Sequence, residues 1–159
     1  MTDLPTRVVI LDIDGPMIPS THVLCDPMAA WDRTFPATTI RVISLLCERS
    51  GARIVINSTH NDPMPEAPDI VDAMIAHGVD PDHFHPTEPL TAYPRLDRKA
   101  AAFDWLARHP EVVDWVGYDD VVYCDAPNLV HVDPDSGLTL RHLNIAFERF
   151  GCRRISIGM

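Results

Sequence analysis

The chain has 159 residues and a formal net charge of −10, from 23 acidic and 13 basic side chains. That surplus argues against a protein that coats nucleic acid non-specifically, which needs net positive charge, though it leaves room for one local phosphate site. Hydrophobic residues make up 46% of the chain, enough for a packed core rather than disorder, and no apolar run approaches the ~20 residues of a membrane span.

The elements read as follows in chain order. Arg7–Leu11 is a short β-branched run, as expected of a strand buried on both faces. Residues 16–36, with Pro16, Pro19, Pro27 and Pro36, read as an irregular excursion or hairpin and a candidate flap. Thr38 or Thr39 caps a helix that runs to Ser50 and ends at Gly51. Arg53–Asn57 is a second buried strand, followed by the polar cluster Ser58, Thr59, His60, Asn61, Asp62. A short helix over Pro68–His77 closes at Gly78, and His83–His85 reads as a third strand. Residues 86–96 form a loop. Asp97–His109 is a helix with Ala101, Trp105 and Leu106 inward, stopped by Pro110. Val112–Tyr118 and Leu129–Val132 are further strands. Asp133–Gly137 is a turn, lacking the spacing and terminal Glu of a calcium loop. Leu140–Phe150 is the last helix. Strands alternating with helices predict an α/β three-layer, Rossmann-like sandwich with a mostly parallel sheet, formed by one domain over residues 1–159.

Function in such folds sits at the carboxyl ends of the strands. Asp12 and Asp14 follow the first strand, with Gly15 allowing a sharp turn. With 18 Asp in the chain, Asp-x-Asp-Gly alone says little. Directly after an N-terminal buried strand it says more, because paired carboxylates call for a cation or a shared proton. Ser58 and Thr59 follow the second strand as hydroxyl donors to a phosphate oxygen. Lys99, the single lysine beside twelve arginines, opens the Asp97 helix, where its compact ammonium suits an acidic cluster and a phosphate. Asp119 and Asp120 follow the fourth strand and suit Mg²⁺, which takes one or two carboxylates plus water and substrate phosphate.

Cys25, Cys47, Cys124 and Cys152 form no Cys-x-x-Cys pair, so they read as reduced thiols and not as a zinc site. His77, His83 and His85 lack companions at ligand spacing. No basic-then-apolar leader opens the chain, and the expected location is cytoplasmic.

Taken in order, Leu11-Asp12-Ile13-Asp14-Gly15, Ser58, Lys99 and Asp119-Asp120 resemble the four motifs of the haloacid dehalogenase-like (HAD) superfamily of Mg²⁺-dependent phosphohydrolases, over residues 7–150. Arg98-Lys99 with Trp105-Leu106, Tyr118-Asp119-Asp120, and Val130–Asp133 with Gly137-Leu138-Thr139 are similar to the small HAD domains of Swiss-army-knife RNA repair proteins. Pro16 stands where that group carries Thr or Val, and His60-Asn61 where it often carries Trp-Arg. The motif-two residue is Ser58, with Asn57 and Thr59 as rivals.

The resemblance implies an Mg²⁺-dependent phosphatase acting on a phosphomonoester. Asp12 would be the nucleophile that forms an aspartyl-phosphate, ionised at neutral pH without a separate base. Asp14 would be the general acid and base. Ser58, Thr59, Lys99 and Gly15 would hold the phosphate. Asp12, the backbone carbonyl of Asp14, and Asp119 or Asp120 would hold the metal. The gaps from Gly15 to Ile40 and from Ser58 to Lys99 leave no room for a large cap domain, so the site is expected to be open. A nucleotide or nucleic acid end is then the first substrate to consider. Trp31 and Phe35 are candidates for base stacking, and Arg95, Arg98 and Arg141 for contacts to a phosphate backbone. A phosphoprotein phosphatase and a catalytically quiet HAD-like binding module are the alternatives.

Overall fold

The computed structural model describes residues 6–58, 69–86 and 97–157. Its centre is a four-stranded sheet, all parallel, in the order β2-β1-β3-β4. The strands are β1 (Arg7–Leu11), β2 (Arg53–Ile56), β3 (Asp114–Asp119) and β4 (Leu129–His131). Leu11 pairs with Ile56 on one side and Tyr118 on the other, and Asp119 pairs with His131. The carboxyl ends of the strands therefore lie level along one rim.

Successive side chains of a strand point to opposite faces, and β1 divides accordingly. Val9 and Leu11 join a large core with Val116 and Tyr118, covered by helices α3 (Ala37–Ser50) and α6 (Leu140–Arg149) through Ile43, Leu46, Leu143 and Phe147. Val8 and Ile10 join Val55 on the other face, covered by Ala101, Ala102 and Trp105 of helix α5 (Arg98–Arg108). Trp105 is fully buried, a placement worth about 2–3 kcal/mol for a large apolar side chain. Three layers result, as expected, and a cap domain is absent among the described residues. No described helix is long and apolar enough to cross a membrane.

Two segments and one helix cap differ from the sequence reading. Residues 16–36 hold two short helices, α1 (Ser20–Cys25) and α2 (Ala29–Asp32). Their prolines do not break helices but precede them: Pro19 caps α1 and Pro36 caps α3, where a missing N–H costs nothing. Thr39 is no cap; it is buried and donates to the Met17 carbonyl at 2.9 Å, anchoring the loop after β1. The expected third strand shrinks to one bridge, Phe84 beside Ile54, with the His85 N–H on the Ile54 carbonyl at 2.9 Å. Before it, Asp80 accepts from the Asp82 N–H and starts a single 3₁₀ turn, Pro81–His83. The expected 68–77 helix is α4 (Ile70–Ala76), capped by Asp69.

Candidate active site at the carboxyl rim

Asp12 is the first residue beyond β1, and its N–H continues the ladder to the Tyr118 carbonyl at 3.0 Å. Alternation puts its side chain on the face covered by α5. There it meets Asp119, the last residue of β3, and Asp120. Asp12 and Asp119 are buried, with Asp120 half-buried. Each offers a carboxylate oxygen, and these oxygens lie within 4.8 Å of one another.

Two glycines make this packing feasible. Gly15 has φ +89°, and a Cβ there would lie 2.9 Å from the Asp120 Cβ, so the chain turns against Asp120 only because no side chain intervenes. Gly137, at φ +69°, lets the 133–137 turn press on that loop: its missing Cβ would stand 3.0 Å from the Pro16 carbonyl oxygen. Leu138 N–H then donates to Pro16 O at 2.9 Å, and Ser20 N–H to Pro134 O at 2.8 Å. The turn is a buttress for the loop that leaves Asp12.

Among the described residues, Arg98 brings positive charge to the acids. Its Nη1 donates to Asp12 Oδ2 at 2.6 Å, and its Nη2 to Asp119 Oδ1 at 3.0 Å and Asp120 Oδ1 at 3.1 Å. Asp119 Oδ1 also accepts from the Val121 N–H at 2.8 Å. Lys99, expected at this cluster, turns away and pairs with Asp125. The reason is helical geometry: residues 98, 101, 102 and 105 share one stripe, and that stripe carries the buried Ala101, Ala102 and Trp105. Arg98 is therefore carried towards the sheet and its neighbour away from it. The apolar stripe is legible in the sequence, whereas its seat against the sheet, which brings Arg98 to the acids, is set by the packing.

The other expected residues divide. Ser58 follows β2 at the same rim and is half-buried, while Thr59 and Arg95 lie outside the described residues. Asp14 is exposed and is not one of the three clustered acids. Phe35, a candidate for stacking, is buried with its ring edge-on to His77; Trp31 is exposed. Asn57, the rival of Ser58, spends its amide on the Arg98 carbonyl at 2.8 Å. Tyr123, which sequence reasoning passed over, is in electrostatic contact with Arg98, Asp119 and Asp12; burial and the Asp119 charge push its phenol up, and Arg98 holds it down.

Burial raises the Asp12 carboxyl to about 8, against the pull of Arg98 and with a further push from Asp119. Burial also raises Asp119 to about 6, in part offset by the Val121 N–H and by Arg98. Burial alone would lower Arg98, and the three carboxylates more than reverse this. Without a metal, burial thus holds Asp12, expected to be ionised at neutral pH without a separate base, towards its neutral form.

Mg²⁺ fits these residues. Asp12 Oδ1 is buried and has no hydrogen-bond partner among the described residues, a costly state that a hard cation relieves. Among the described residues one guanidinium faces these three acids, and oxygen ligands of this kind suit a hard divalent ion.

A family model described as a HAD domain in Swiss Army Knife RNA repair proteins matches residues 8–143. No curated protein and no solved structure matches the chain.

Proposed function

This chain belongs to the family of HAD domains in Swiss Army Knife RNA repair proteins, and from that premise we propose that it is an Mg²⁺-dependent phosphatase that hydrolyses a phosphomonoester through an aspartyl-phosphate on Asp12. The observation that carries the reading is the cluster of Asp12, Asp119 and Asp120 at the strand ends, in which Asp12 Oδ1 is buried without a hydrogen-bond partner among the described residues. A nucleotide or nucleic acid end is the first substrate class. Its support is the RNA repair setting of the family and the lack of a cap domain among the described residues.

Asp12 attacks phosphorus, and the bond from phosphorus to the ester oxygen breaks. The leaving oxygen takes a proton from Asp14. Asp14 then takes a proton from water, whose oxygen attacks the aspartyl-phosphate and releases inorganic phosphate and Asp12. Asp12, Asp119 and Asp120 would hold Mg²⁺, with the Asp14 carbonyl as a further donor. When bound, the ion supplies positive charge that keeps Asp12 ionised and offsets its repulsion from the phosphate dianion. In this reading Arg98 takes the role expected of Lys99 and stabilises the charge that spreads over the transferring oxygens. Ser58 donates to one of them.

The test is an aryl phosphate assay with and without Mg²⁺, on wild type and Asp12→Asn, followed by nucleotides, 3′- and 5′-phosphorylated oligonucleotides and phosphopeptides. Activity that needs Mg²⁺ and vanishes in the variant supports the reading. Mg²⁺-independent activity, or activity that survives Asp12→Asn, overturns it. One observation favours a catalytically quiet binding module instead, namely that Arg98 already occupies all three acids. A folded, metal-binding protein that hydrolyses none of these substrates would establish that alternative.

A further inference from the structure

We propose that Asn57 is a positioning residue for this site, tying the end of β2 to the first residue of α5 so that Arg98 is held over Asp12. The inference deepens the phosphatase reading and rests on Arg98 being its cation.

Asn57 stands where the apolar run of β2 ends, and it is buried. A buried carboxamide is costly unless it is hydrogen-bonded, and an apolar residue would have completed the strand without that cost. Both of its links lead to the site. Its backbone N–H donates to the Leu11 carbonyl at 2.9 Å, one residue before Asp12. Its Nδ2 donates to the Arg98 carbonyl at 2.8 Å, 41 residues away in sequence. One residue therefore joins the strand that carries the nucleophile to the helix that carries the guanidinium.

The second bond does nothing for the helix as a helix. Helix N-termini lack partners for their N–H groups, not for their carbonyls. Asp97 already serves the Ala100 N–H at 2.8 Å. The carbonyl of a first-turn residue is aimed along the axis at the amide four residues on. The Asn57 bond adds a second donor to an oxygen that needs none, and its effect is to locate the start of α5. Lys99 also ties the start of α5, to Asp125, but it ends on an exposed carboxylate, and such pairs hold weakly. Arg98 reaches three acids on two strand ends at 2.6–3.1 Å, so the geometry of the fork depends on where the helix starts.

Two measurements on Asn57→Ala, and on Asn57→Leu to retain volume if the smaller side chain unfolds the protein, test this. The first needs no turnover: the Arg98 Nε–H resonance of the metal-free protein, assigned by its loss in Arg98→Lys. It should exchange with water about tenfold faster in the Asn57 variants. The second is kinetic: kcat on an aryl phosphate should fall about 10- to 100-fold with KM changed less than about threefold. In an Arg98→Gln background the same Asn57 change should cost less than about twofold. Unchanged Arg98 exchange, or an equal loss of kcat in both backgrounds, overturns the proposal. A wild type inactive on every phosphate ester removes the phosphatase reading instead, and Arg98 exchange then decides the positioning by itself.

Discussion

Arg98 Nη1 donates to Asp12 Oδ2 over 2.6 Å, joining a guanidinium one quarter exposed to a carboxylate that is 1% exposed. Its second terminal nitrogen, Nη2, donates to Asp119 and Asp120, so one planar cation links the ends of β1 and β3. The planar fork of arginine suits this task, where a lysine ammonium would act as a single point of charge.

Arg98→Gln should lower kcat by about 100-fold, the usual scale for loss of a preorganised donor. Lys99→Gln should change it less than about threefold, because the Lys99 partner, Asp125, is exposed and such pairs contribute little. Steady-state kinetics of the two variants on one aryl phosphate compare them directly. The opposite ranking would return the role to Lys99.

The metal-free protein should lose stability as pH rises from about 4 to about 8. Burial lifts Asp12 from 3.8 to about 8, so over that interval the folded state binds a proton that the unfolded state has released. The stabilisation is complete below the unfolded value and is gone once pH passes the folded one. Asp119, raised to about 6, adds to the same slope. Asp12→Asn removes the buried charge, so its melting midpoint at pH 8 should exceed that of wild type by about 5 °C, for roughly 2 kcal/mol in a domain of this size. Melts across pH, without metal, would show a shallower slope for the variant.

Mg²⁺ should reverse that order. An ion among Asp12, Asp119 and Asp120 favours their charged forms and releases protons on binding. Wild type should gain stability with added Mg²⁺ at pH 8, and Asp12→Asn should gain little. Calorimetry in two buffers of different ionisation enthalpy would detect the released protons. Equal Mg²⁺ responses would argue against a metal held by Asp12.

Gly15→Ala should cost about 2 kcal/mol, from a positive φ that L-residues resist and from a Cβ placed 2.9 Å from the Asp120 Cβ. Because Asp120 must shift to make room, Mg²⁺ affinity should fall with stability. Thermal melts and calorimetry on the same variant check both.

Tyr118→Phe serves as a control on the opposite face of β3. The phenol donates to the His142 carbonyl at 2.7 Å, buried against α6. Its loss should cost about 1 kcal/mol, measured by denaturant melts, and leave kcat within about twofold.

Much of the site was legible because parallel strands are written plainly. The continuous apolar runs at 7–11 and 53–56 mark buried strands, and parallel connection brings their carboxyl ends to one rim. Asp12, Ser58, Asp119 and Asp120 could be named from that rule alone. The 83–85 segment forms one bridge rather than a strand, because the turn capped by Asp80 ends at Phe84. The two helices within 16–36 are hidden from a sequence reading, because a proline before a helix looks in sequence like a proline that prevents one.

By itself the sequence determined the α/β class, the acids at the strand ends and the need for a cation near them, since alternation, apolar runs and turn residues are local properties of the chain. Only the tertiary structure decided which cation arrives. Arg98 and Lys99 are neighbours about 100° apart around α5, and the choice between them depends on how the helix rolls against β1 and β2. Ala101, Ala102 and Trp105 set that roll by burying their stripe on the sheet. The Asn57 bond to the Arg98 carbonyl depends on the same packing, because it joins residues 41 positions apart that no local rule could bring together.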